Sequence, residues 1–209
     1  MTPKPLKSRR LDLVYVIFFV VHLIITLTLD VLPLWPSSLQ SMPVIRDIYA
    51  FLKRVSFDYL TKSKDPFALA TWGLVQHEWE FYFMRVFMYM ELVIQLPAFI
   101  LGTYGLYKNN PSYYSVILCY ATAALVTTTT CFVNAIKLPS AEDPSLDASS
   151  KFYAVTNEVR WRILGPLIPF LVIPAVMWVD MFVRIMDLVS IGAYKKALAA
   201  KAGKAKKEL

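Results

Sequence analysis

A chain of 209 residues with 57% hydrophobic and 18% charged side chains carries more apolar surface than one core of that size can bury. That excludes an ordinary soluble domain and directs the reading to lipid-facing segments. The formal charge of +7 sits mostly at the two ends. With no Gly-rich phosphate loop and no interleaved basic–aromatic patch, it speaks against nucleic acid and for flanks beside an anionic leaflet.

Residues 1–10 form a basic flank with Lys4, Lys7, Arg9 and Arg10. The first apolar run, 11–34, is too long for a signal-peptide core and lacks a small-residue cleavage site, so it is expected to remain as an anchor. It contains "FFVVHLIITLTLDVLPLW" (18–35), in which His22 and Asp30 are out of character. On a regular α-helix their eight-residue spacing puts them about 80° apart, on neighbouring faces. Ionisable side chains in a span face the bundle interior or a cavity and are functional candidates by default.

The 35–80 segment is not a plain polar loop. Over 42–60, Val44, Ile45, Ile48, Phe51, Leu52 and Val55 recur at helical spacing between charges, and Pro43 suits a first turn. This predicts an amphipathic helix lying at the luminal interface or packed over the bundle. "KSKDPF" (62–67) turns the chain. "QHEWE" (76–80) has one histidine and two glutamates, but their spacing is not that of a metal site, and no metal or cofactor is expected.

Three more spans follow, at 84–107, 113–136 and 163–182. "KNNPS" (108–112) makes the second and third an antiparallel hairpin. Glu91 and Gln95 share one face of the second span, and Pro97 should kink it. The third contributes Tyr120, "TTTT" (127–130) and Asn134; threonine hydroxyls in such a run mostly return to the preceding turn. Cys119 and Cys131, about 18 Å apart along one helix, cannot pair and read as small buried hydrophobes. Pro166, Pro169 and Pro174 predict a fourth span that is not straight. Residues 11–185 thus form an all-α, polytopic bundle of four transmembrane helices. Lys and Arg near the segment ends place both termini in the cytosol. The tail, 186–209, ends in "KKEL", where Lys206 and Lys207 form a di-lysine endoplasmic-reticulum retrieval signal.

"HLIITLTLD" in the first span, "KDP" (64–66), "ELVIQLP" (91–97) and "PFLVIP" (169–174) resemble the sigma-2 receptor (transmembrane protein 97) family. That family sits in the wider EXPERA group with the emopamil-binding sterol isomerases; fungal members are labelled efficient-mitochondria-targeting-associated proteins. The resemblance covers 11–182. It implies a four-helix bundle in the endoplasmic-reticulum membrane, often a homodimer, with a pocket that opens to lipid and accepts sterols and cationic amphiphiles. It implies that Asp30 and Asp65 govern amine binding, that Glu91 and Gln95 are the polar pair of the second span, and that Tyr120 and Thr127 line the pocket.

Physical chemistry agrees with a carboxylate in an apolar cavity attracting a cation, with Tyr59, Phe87 and Tyr120 available for cation–π contact. The isomerase relatives carry a glutamate four residues after the first-span histidine. Here His22 and Glu91 are present but the intermediate position is Thr26, which argues against catalysis. The leading expectation is therefore a non-enzymatic endoplasmic-reticulum protein that binds sterols or amphiphilic amines and acts in lipid homeostasis or protein quality control. The alternatives are a sterol isomerase and a membrane chaperone or adaptor for mitochondrial precursor clients.

Overall fold

The computed structural model describes residues 5–75, 78–147 and 150–205, so His77, Lys206 and Lys207 lie outside the described residues. Among the described residues four stretches are long and apolar enough to cross a bilayer: Arg10–Asp30, Tyr82–Tyr107, Pro111–Lys137 and Asn157–Ala199. The protein is an all-α, multi-pass membrane protein. Its lipid-facing positions include Ile17, Ile24, Val93, Val126 and Val179, each more than half exposed.

The first span begins as α1 (Arg10–Ile25) and continues as a π turn, Thr26–Asp30, closed by the Val31 amide donating to the Thr26 carbonyl at 3.0 Å. The short helix α2 (Ser37–Gln40) leads to α3 (Pro43–Ser63) and α4 (Pro66–Thr71). The second span repeats the pattern of the first: α5 (Tyr82–Met90), a π turn at Glu91–Gln95, then α6 (Leu96–Tyr107). Here the Leu96 amide reaches back five residues to the Glu91 carbonyl.

Both π turns stand just ahead of a proline, Pro33 or Pro97. A proline has no N–H to give, and its ring crowds the carbonyl four residues back, which is Leu29 or Val93. Widening the turn relieves that crowding. The distortion expected from Pro97 therefore takes the form of a π turn, and the first span has a matching one.

α6 and the third span, α7 (Tyr114–Lys137), form the expected hairpin. Its turn places Asn109 at φ 52°, and Asn110 caps the next turn by accepting from the Ser112 amide at 3.0 Å. Gly105 lets α6 approach this turn closely, since a Cβ there would collide with the Cβ and ring of Tyr113. A short parallel bridge between Ser140 and Val155 pins the next loop. The fourth span lies in α8 (Asn157–Ala205), 49 residues that stay helical through Pro166, Pro169 and Pro174. Such prolines are tolerated in a membrane helix, where neighbouring elements satisfy the freed backbone groups. At about 73 Å, α8 runs far beyond the expected end at 182.

α7 and α8 make the most extensive helix–helix interface. One core cluster packs Tyr15, Phe19, Phe99, Ile117, Tyr120, Met177 and Met181 in the half of the bundle that holds the N-terminus. A second packs Phe67, Phe81, Leu138, Val155, Ile163 and Leu164 toward the Asp30 end. The amphipathic helix is α3, but it buries Ser56, Leu60 and Ser63 while Val44, Ile48, Phe51 and Val55 face outward. Helix α3 thus meets the rest of the chain through Ser56, Leu60 and Ser63, and its apolar row faces outward.

Candidate functional site

The first π turn changes the geometry of the first span. One extra residue in a helical turn sets the residues downstream of it back by roughly the rotation of one residue, about 100°. His22 and Asp30 were about 80° apart on an ideal helix, so the π turn brings Asp30 almost beneath His22. Glu91 arrives from the start of the second π turn. One ligand atom each of His22, Asp30 and Glu91 lies within 4.8 Å of the others.

Within this cluster the Thr26 hydroxyl donates to Glu91 Oε1 at 2.5 Å. His22 Nε2 stands 3.6 Å from the same oxygen, and His22 Nδ1 is 3.0 Å from the Tyr120 hydroxyl. A carboxyl oxygen of Asp30 lies within 4.8 Å of one of Glu91, close enough for the two groups to share a proton. The imidazole is held by rings on several sides, with centroids at 4.6 Å for Phe170, 4.7 Å for Phe99 and 5.5 Å for Phe18. Thr26 and Tyr120 are fully enclosed, and His22 and Gln95 are buried.

No lysine or arginine among the described residues pairs with Asp30 or Glu91. Two half-buried carboxyl groups and one buried imidazole make a site that can accept a proton, an organic ammonium or a metal ion from outside. As a donor set for a cation it was hidden in the sequence, because the spacing of His22 and Asp30 reads as two faces unless the π turn is known.

Asp65 stands apart from this cluster. It is the N-cap of α4: Oδ1 accepts from the Phe67 amide at 2.9 Å and the Ala68 amide at 3.4 Å, while Oδ2 accepts from the Tyr59 hydroxyl at 3.1 Å. Aspartate followed by proline at the first helical position is a capping pattern legible in "KDP". Among the described residues no hydrogen bond or ion pair joins Asp65 to Asp30 or Glu91. Thr127 is buried and returns its hydroxyl to the Ala124 carbonyl at 3.2 Å. Tyr59 is committed to Asp65, and Phe87 packs on Phe83. Of the three aromatic side chains considered for cation–π contact, only Tyr120 touches the cluster.

Burial pushes the Asp65 carboxyl up from its ordinary 3.8, against the lowering pull of the two amides and the Tyr59 hydroxyl. Burial, then the charge of Asp65, pushes the Tyr59 hydroxyl up to about 12. A carboxyl whose value rises on folding holds its proton more tightly in the folded state. Its contribution to stability is complete below 3.8 and is lost as the pH climbs through the folded value. Asp65→Asn keeps an acceptor for the cap and removes the titration. Melting temperatures in one detergent, from about pH 4 to about pH 7, are expected to fall less in Asp65→Asn than in the wild type. Equal slopes would remove Asp65 from the account of the pH profile.

Residues 51–181 match the family model described as EXPERA (EXPanded EBP superfamily). The matched stretch holds Asp65, Glu91, Gln95, Tyr120 and Thr127, whereas His22, Thr26 and Asp30 precede it. No curated protein matches the chain.

Proposed function

Because the chain belongs to the EXPERA family, the expanded EBP superfamily, we propose that it binds a sterol-like or amphiphilic amine ligand inside the membrane, without transforming it. The observation that carries this reading is the half-buried Asp30–Glu91 carboxyl pair, which has no lysine or arginine partner among the described residues. A ligand ammonium supplies the missing positive charge in a low-dielectric setting, where the attraction is far stronger than in water. The rings of Phe18, Phe99 and Phe170 give the apolar body of such a ligand a wall to pack against. Equilibrium binding of a labelled cationic amphiphile and of a labelled sterol to the purified protein tests the reading. Saturable binding is expected, and its absence for both ligands would end it.

One observation favours a second reading. The acid that the sequence lacks at Thr26 is present one turn later as Asp30, which the π turn delivers to Glu91 and His22. An acid, a base and an imidazole together satisfy the needs of a sterol isomerase. Expression in isomerase-deficient cells followed by sterol analysis separates the readings: restored product favours catalysis, and its absence favours binding alone. The setting proposed for either is the endoplasmic-reticulum membrane with both termini cytosolic, retrieval through Lys206 and Lys207, and roles in lipid homeostasis or as an adaptor for client proteins, with homodimerisation as a further proposal.

A further inference from the structure

At the other end of the bundle from Asp30 lies a cavity of about 410 Å3, lined by Arg9, Arg10, Leu11, Asp12, Asn109, Tyr114 and Arg184. Its floor is an ion-pair network. Asp12 is 2% exposed and binds Arg9 on one side and Arg184 on the other, the latter at 2.8 Å. Arg184 also takes Asp180 at 2.8 Å and lies over the Tyr114 ring, 5.4 Å from its centroid. Arg9 Nη2 closes the end of α6 by donating to the Leu106 carbonyl at 2.7 Å. Two guanidinium groups, those of Arg9 and Arg184, thus meet the carboxylates of Asp12 and Asp180, and Arg10 makes no ion pair among the described residues. One positive charge is left at the cavity.

The depth of the cavity is set by helix length. From Arg162 to Arg184 along α8 is about 33 Å, and from Asp30 to Asp12 along the first span about 27 Å. Both match the hydrocarbon thickness of about 30 Å, which puts the arginine cavity at headgroup level. Leu11 on its wall continues into Val14, Ile17, Val21 and Ile24, an exposed apolar row running down the lipid-facing side of α1. A polar head in the cavity would therefore have its acyl chains laid along that row.

We propose that this cavity is a binding site for the phosphate headgroup of an anionic glycerophospholipid. Arg10 provides the uncompensated charge, and the Asn109 amide and Tyr114 hydroxyl are the neutral polar groups on the wall. The Asp12 network fixes the shape of the site and is not what the lipid neutralises. Basic pockets between transmembrane helices at the headgroup level are the usual setting for such recognition.

The test is native mass spectrometry of the full-length protein released from nanodiscs of phosphatidylcholine mixed with phosphatidylserine. The wild type is expected to retain phosphatidylserine preferentially. Arg10→Gln is expected to reduce that retention by about fivefold. Arg10→Lys, which keeps the charge, is expected to restore most of it. Arg46→Gln removes an exposed arginine near the opposite end and is expected to change nothing. Equal retention of the two lipids by the wild type, or an equal loss in Arg10→Gln and Arg46→Gln, would overturn the proposal. So would displacement of phosphatidylserine by inorganic phosphate at low millimolar concentration, which would mark a site for free anions. None of these outcomes bears on amine binding at Asp30 and Glu91.

Discussion

The double replacement Asp30→Asn with Glu91→Gln is expected to weaken binding of an amphiphilic amine by at least about 30-fold. Removing one side of a buried, hydrogen-bonded charge pair costs about 2–5 kcal/mol, and each 1.4 kcal/mol is about tenfold. The single replacements are expected to lose only about threefold each, because the two carboxyl groups share one role. With Asp30 gone, Glu91 no longer has to share a proton and can ionise against the ligand; with Glu91 gone, Asp30 can do the same. The single effects should therefore not add up to the double. Saturation binding on the four proteins measures this directly. Amine affinity unchanged in the double variant would mean that the cluster holds the bundle together and does not bind the ligand.

Phe19→Ala is the largest structural effect expected. The ring is fully enclosed, with centroids 5.1 Å from Tyr120 and 6.0 Å from Phe99. In water such a truncation costs about 3–5 kcal/mol, part of it from lost transfer free energy and part from the cavity left behind. In lipid the transfer part largely disappears, because acyl chains are as apolar as the core. What remains is lost packing, on the order of 2–3 kcal/mol. Phe99 also packs against His22, so the same change loosens the wall that orients the imidazole. The expected result is a lower melting temperature in detergent together with weaker ligand binding. A variant that melts like the wild type would show that the bundle is held by its loops and ion pairs rather than by this ring cluster.

The spans were legible because apolar runs of bilayer length leave few alternatives. All four appear within a few residues of their expected limits except the last, whose helix continues through the tail. The amphipathic α3 was legible from its period, but not which of its faces turns inward. Ser56 and Ser63 lie on the buried side, a choice that depends on tertiary contacts rather than on pattern.

His22, Asp30 and Glu91 were legible as individual residues, since an ionisable group in a span stands out at once. Their meeting was not. An ideal helix separates His22 from Asp30, and a sequence does not announce a π turn, although Pro33 and Pro97, each shortly after an acidic residue, are its physical cause. Asp65 shows the opposite case: it was grouped with the acidic site through a resemblance, while the Asp–Pro pair beside it already spelled a helix cap. Thr26 was read as the absence of an acid. In the structure it donates a hydrogen bond to Glu91, and the second acid comes from the next turn.

The most direct test of the central claim is an experimental structure of the protein with a bound amphiphilic amine. The ammonium nitrogen is expected about 3 Å from a carboxylate oxygen of Asp30 or Glu91, with the apolar body against Phe99 and Phe170. An amine bound elsewhere, with Asp30 and Glu91 still facing each other and no ligand between them, would contradict this reading.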